Sequence, residues 1–166
     1  MLFRSRVTPG SKEAEYCEII QRETRRMEQI LSEILGFSRK QLLCYNECRI
    51  ERIIEQALVL EDDALRGSGI QVQLNYDCAL PPFQGDDQKL LQVLMNIIDN
   101  ARHAMGEGGV LRIRAGLGHL RDEPALVVQV QDTGGGIPPE VLKEIFAPFY
   151  TTKKQGTGLG LAISQR

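Results

Sequence analysis

Tryptophan is absent from the 166 residues, and only five phenylalanines, four tyrosines and two histidines are present. So few flat rings argue against a base-stacking RNA platform, which needs aromatic pairs. Neither sign of charge dominates: 20 Lys and Arg stand against 22 Asp and Glu, so neither a nucleic-acid surface nor an acidic tail is indicated. No apolar run is long enough to span a bilayer, and the start, MLFRSRVTPGSK, lacks the hydrophobic stretch of a signal peptide. The expectation is a cytoplasmic fragment without membrane contact, whose parent protein can still be membrane-anchored. Four cysteines, Cys17, Cys44, Cys48 and Cys78, are scattered. Cys44 and Cys48 alone are close, at a helical spacing, with no second pair or neighbouring histidine to complete a zinc site. They read as thiols of a reducing compartment. No Gly-Lys dipeptide occurs and no glycine trio has GxGxxG spacing, which removes the Walker A loop, the dinucleotide fold and the protein-kinase loop.

What the chain does have is periodicity. After the breaker cluster Thr8-Pro9-Gly10-Ser11, no proline appears from Glu13 to about Tyr45, and Tyr16, Ile20, Met27, Ile30, Ile34 and Phe37 recur at spacings of three, four or seven. Leu31 and Leu35 widen this heptad-like stripe and Glu23 interrupts it. The pattern predicts one long helix that needs a partner, with self-association favoured. Arg49 to Leu65 resumes a helical pattern through Ile50, Ile53, Ile54, Ala57 and Leu58. Three strands are predicted, at Ile70 to Leu74, Val110 to Arg114 and Leu126 to Gln131, the last two joined by a longish polar connection through Asp122 and Pro124. Helices that do not strictly alternate with strands predict a mixed α/β sheet covered by helices on one face.

One helix carries both core and chemistry. In Leu90 to Met105, LLQVLMNIIDNARHAM, the residues Leu90, Val93, Leu94, Ile97, Ile98, Ala101 and Met105 share an arc, and Gln92, Asn96, Asp99, Asn100 and His103 lie opposite. Asp86 is its predicted N-cap and Gly106 to Gly109 its stop. An ordinary surface helix would carry Lys and Glu there. Amides at i and i+4 suit a hard cation and a phosphate chain. Downstream, Asp132-Thr-Gly-Gly-Gly-Ile-Pro138 follows the third strand, and after a short helical piece comes Ile145-Phe-Ala-Pro-Phe-Tyr-Thr-Thr-Lys153. The sequence closes on Gln155-Gly-Thr-Gly-Leu-Gly-Leu161. Glycine runs let backbone amides approach an anion, and a helix beginning at Leu159 would aim its N-terminal amides at it. A carboxylate at a strand end, Asp132, can accept from the exocyclic amine of an adenine. The span between Pro138 and Gly156 has the composition of a lid.

These four motifs, in this order, resemble those of the histidine-kinase branch of the ATPase superfamily that also contains gyrase and MutL. LLQVLMNIIDNARHA is similar to its N box, DTGGGIP to its first glycine box, IFAPFYTTK to its phenylalanine box and GTGLGL to its second glycine box. The preceding EYCEIIQRETRRMEQILSEILGFSR resembles the second helix of the dimerisation and phosphotransfer hairpin. The resemblance implies a Bergerat-type α/β sandwich over residues 47–166, preceded by a partial dimerisation helix over residues 1–46. It implies ATP with Mg2+ as cofactors, a receiver domain of a response regulator as partner, and a homodimer through the N-terminal helix.

Residue by residue, the resemblance makes Asn100 the metal ligand, with Asn96 on the same polar face. Asp132 reads the adenine, with Gly134, Gly136 and Ile137 beside the base. Thr157, Gly158, Leu159, Gly160 and Leu161 wrap the phosphates, and Lys153 reaches the terminal one. His103 stands where the family commonly has lysine, so phosphate neutralisation there is expected to be weaker or pH-dependent. Gyrase-like members have a glutamate, the base that activates water, four residues before the metal-binding asparagine; Asn96 cannot accept a proton. That favours phosphoryl transfer, which depends on positioning and charge. Neither His103 nor His119 lies in a phosphoacceptor segment, and the second glycine box falls at the end of the sequence. The chain therefore reads as an excerpt of a larger sensor kinase, truncated at its C-terminus and unable to phosphorylate itself. The competing readings are an ATPase switch and a catalytically inactive nucleotide-binding or dimerisation module.

Overall fold

The computed structural model describes residues 11–38, 43–77, 79–153 and 156–165. Its contacts divide the chain into two compact units, Met1–Gln41 and Leu42–Arg166. In the first, helix α1 (Lys12–Ser38) starts behind Ser11, whose Oγ accepts from the Ala14 amide at 3.2 Å. That hydroxyl satisfies one of the amides a helix start leaves unpaired. Tyr16, Ile20, Met27 and Leu31 of the predicted stripe are exposed within this unit. The sequence predicts a helix reaching about Tyr45; α1 is described as far as Ser38, and residues 43–45 are not helical. Residues 39–42 lie outside the described residues, as do Cys78 and the side chains of Ile30, Ile34 and Phe37.

The second unit runs β1 (Asn46–Cys48), α2 (Ile50–Gly67), β2 (Ile70–Tyr76), β3 (Phe83–Gly85), α3 (Asp87–Met105), β4 (Gly109–Leu120), β5 (Glu123–Gln131) and α4 (Gly160–Gln165). The main sheet has the order β2-β4-β5, with β2 parallel to β4 and β4 antiparallel to β5. A parallel pair needs a crossover, and α3 supplies it. Along β4 the side chains alternate: Leu111, Ile113 and Ala115 are buried, while Arg112 and Arg114 are exposed and pair with Gln73 and Asp77 at 3.0 and 2.7 Å. The inward set joins Ile50, Ile53, Ile54, Ala57 and Leu65 of α2 and Leu91, Leu94, Ile98 and Ala101 of α3 in one core. The expected mixed sheet with helices on one face is the observed architecture.

Several expectations change in detail. Two short strands, β1 and β3, pair antiparallel in a separate ribbon; at three residues each they are too brief to show alternation. Cys44 and Cys48 are therefore not on a helix, and the buried Cys48 thiol points at the Gly85 carbonyl, 3.3 Å away. The β4–β5 connection is a two-residue turn, Arg121-Asp122, both with positive φ, the geometry that matches strand twist. Pro124 sits inside β5 opposite His119. It is tolerated because β5 borders only β4 among the described residues, so its missing N–H leaves no ladder bond unmade. On α3, Leu91 is buried while Val93 and Ile97 are only half-buried. The piece between Pro138 and Phe149 is a succession of turns rather than a helix, and α4 begins at Gly160, one residue later than expected. Among the described residues no helix is long and apolar enough to cross a membrane.

Candidate functional site

The site is organised along one strip of α3. Asp86 caps that helix by accepting from the Lys89 amide at 3.1 Å, and also accepts from the Cys44 amide at 3.0 Å. Both bonds favour its charged form and hold its carboxyl below the usual range. Asn96, Asn100 and Ala104 follow one another at i, i+4 and i+8, a ridge of about 12 Å at 1.5 Å rise per residue. Each meets a different downstream motif. Asn96 Nδ2 donates to the Gly160 carbonyl at 3.1 Å and to Ser164 Oγ at 3.3 Å. Asn100 Oδ1 accepts from Lys153 Nζ at 2.7 Å. Ala104 faces Gly134 so closely that a Cβ there would lie 2.7 Å from the Ala104 carbonyl carbon and oxygen.

The glycine-rich turns are shaped by the same closeness. Asp132 Oδ1 accepts from the Gly134 amide at 2.8 Å, which closes the turn leaving β5. Gly158 has φ +69°, and a Cβ on it would lie 2.6 Å from the Tyr150 carbonyl oxygen. Phe149 donates to the Gly158 carbonyl at 3.0 Å, so the second glycine turn is laced to the Phe149-Tyr150 backbone. Thr157 Oγ1 accepts from the Leu159 amide at 3.4 Å. The Leu159 side chain is buried, 1% exposed, so what it can offer a ligand is its backbone. Gly160 lies against Asn96, and Leu161 is half-buried beside it in α4. Gly136, with φ +74°, has open space around it, and Ile137 is 49% exposed. Those two are not drawn into the strip.

A charged cluster adjoins Asn100 that the sequence reading did not assemble. Asp99 binds Arg102 Nη2 at 2.6 Å, Lys153 Nζ at 3.3 Å and His103 Nδ1 at 3.2 Å. Burial pushes the Asp99 carboxyl up, but the Arg102 hydrogen bond and the charges of Lys153, His103 and Arg102 outweigh it and hold it below the usual range. Glu61 of α2 shifts the other way, raised by burial first and then by the negative charge of Asp99. His103 turns back on its own helix: Nδ1 lies 2.7 Å from the Asp99 carbonyl, an acceptor that requires the proton on that nitrogen. Asp99 was legible as the neighbour of Asn100; Glu61, Ser164 and Arg102 carried no local signal of a shared site.

Residues 85–166, which contain every motif just described, match the family described as histidine kinase-, DNA gyrase B- and HSP90-like ATPase. The catalytic domain of histidine kinase ThkA, in a nucleotide-free form, is similar with a TM-score of 0.65 at 33% identity, over 74% of this chain and 78% of that one. The chain belongs to the histidine kinase family. Within the histidine kinases, sporulation kinase C of Bacillus subtilis (strain 168) is 36% identical over 156 residues, which is 92% of this chain and 35% of the relative. ThkA in complex with response regulator protein TrrA is similar over 97% of this chain and 45% of that chain, with a TM-score of 0.73 and 29% identity. The chain spans about a third of the length of the curated relatives it matches.

Proposed function

We propose that this chain is the ATP-binding catalytic part of a two-component sensor histidine kinase, which passes the γ-phosphoryl group of ATP to a histidine outside residues 1–166. Residues 1–46 are the partial dimerisation and phosphotransfer helix, through which the full protein forms a homodimer, and residues 47–166 are the catalytic domain. The observation that carries the reading is the ridge of α3, where Asn96, Asn100 and Ala104 each meet one of the glycine-rich or lid motifs.

The residues fit a magnesium nucleotide. Asn100 Oδ1 already accepts a cation, the Lys153 ammonium, and amide oxygen is a donor that magnesium accepts alongside phosphate and water. The turns at Gly134 and Gly158 have backbone where a Cβ would stand, so only glycine lets them close against α3 and the Phe149-Tyr150 segment beside Asn100. When bound, magnesium neutralises charge on the phosphates in transfer. Asn100 holds the metal, Asp132 accepts from the adenine amine, and Gly134, Gly136 and Ile137 border the base. Thr157, Gly158, Leu159, Gly160 and Leu161 surround the phosphates, and Lys153 neutralises the terminal one. Asn96 supports transfer over hydrolysis twice over: it cannot act as a base, and its amide is committed to Gly160 and Ser164. The phosphoryl group then passes to a receiver domain of a response regulator.

The test combines this chain, labelled ATP, magnesium and a separately supplied acceptor hairpin. Label on the hairpin histidine is expected. Release of free phosphate would point to an ATPase switch instead, and nucleotide binding without turnover to an inactive module.

A further inference from the structure

The seat assigned to the metal is held by a side-chain cation. Lys153 Nζ lies 2.7 Å from Asn100 Oδ1 and 3.3 Å from Asp99 Oδ2. A neutral amide is a poor rival to water for an ammonium, whereas a carboxylate beside it adds the charge-assisted attraction that keeps the lysine there. Asp99 does not depend on Lys153 in return. Arg102 at 2.6 Å and His103 at 3.2 Å hold it from Oδ1, so the carboxylate stays paired and in place when the lysine leaves.

We propose that Asp99 is a positioning residue that parks Lys153 on Asn100, so that nucleotide binding is an exchange of cations at one amide oxygen. The metal takes Asn100 Oδ1, and Lys153 moves to the terminal phosphate. The exchange half of this inference rests on the nucleotide reading above; the parking half rests on the nucleotide-free geometry alone. Two consequences follow. The parked conformation must open before the metal can bind, which lowers apparent affinity by the fraction of molecules that are open. It also anchors the lid, because Lys153 ends the turn-rich segment from Gly135 in which Leu142, Phe146 and Phe149 are exposed and give little packing to hold it.

The test compares the full chain with Asp99→Asn, Lys153→Gln and the double variant. Hydrogen exchange of amides 141–152 is read without nucleotide, and association of a fluorescent ATP analogue with magnesium is read by stopped flow. Asp99→Asn is expected to speed both lid exchange and analogue association about fivefold, the scale of a part-exposed ion pair. In the Lys153→Gln background the same change is expected to alter neither. Unchanged lid exchange in Asp99→Asn would overturn the proposal. So would an equal acceleration with and without the lysine, which is the mark of a general charge effect, and so would weaker magnesium-dependent binding in both backgrounds, which would make Asp99 a metal ligand. If the unaltered chain fails to bind the analogue, the nucleotide reading and the exchange fall, while the lid comparison still decides whether Asp99 parks Lys153.

Discussion

Asp99 and Glu61 are two carboxyls of one neighbourhood whose titrations are pushed apart, and their stability contributions carry opposite signs. The folded-state value of Asp99 is depressed, so its contribution is present above its ordinary value of 3.8 and is lost as pH falls through the lowered one. Glu61 is raised, so the native state holds its proton above the ordinary value of 4.5, and stability falls as pH climbs from there through the raised value. Glu61→Gln is therefore expected to stabilise the protein at pH 7 by less than about 1 kcal/mol, the scale of part-exposed charges. The gain should vanish below pH 4.5; thermal melts at pH 4 and 7 measure it. Sterics at the first glycine turn give a second expectation. Gly134→Ala places a methyl 2.7 Å from the Ala104 backbone, whereas Gly135 has open space within 4 Å. Urea denaturation should show a loss of about 1–3 kcal/mol for the first, the cost of overpacking, and no more than about 0.5 kcal/mol for Gly135→Ala.

At the level of elements, the helices were readable because a 3.6-residue period needs only local sequence. On α2 the periodic positions Ile50, Ile53, Ile54, Ala57 and Leu65 are buried and Leu58 is half-buried, and Asp86 caps α3 as its position before the periodic run implies. The arc on α3 was read less well: Val93 and Ile97 share the apolar side of the wheel, yet are half-buried while Leu91 is covered. How far round a helix the core extends is set by its neighbours. The hairpin was misread for a different reason, since Pro124 looks like a loop residue until the strand containing it is known to be an edge. Its turn holds Arg121 and Asp122 at φ 51° and 68°, a conformation that favours Asn-Gly. Replacing the pair with Asn-Gly should stabilise the protein by about 1 kcal/mol, the scale of the left-handed strain it relieves, measured by chemical denaturation with the association kinetics of nucleotide as a control.

For the whole molecule, the two units have different needs. The unit Leu42–Arg166 has its own buried core. The long α1 instead leaves Tyr16, Ile20, Met27 and Leu31 between 58% and 65% exposed in a single chain, apolar surface that a second α1 would cover. Sedimentation velocity is expected to show a concentration-dependent dimer, and Ile20→Glu with Met27→Glu should convert it to monomer without changing the urea midpoint of the second unit. A monomer at every concentration for the unaltered chain would remove self-association through this helix.

Residues close in sequence could be paired without coordinates. The amides Asn96 and Asn100 had to lie on one helical ridge, and the order of the glycine motifs pointed to a nucleotide and to the family. Contacts across long separations could not be read in this way. Asn96 meets Gly160, Asp99 meets Lys153 and Glu61 feels Asp99 because α2, α3 and the lid pack as they do. Periodicity encodes which face of an element is apolar, but not which distant side chain comes to rest on its polar face; packing places Lys153 on the Asn100 amide.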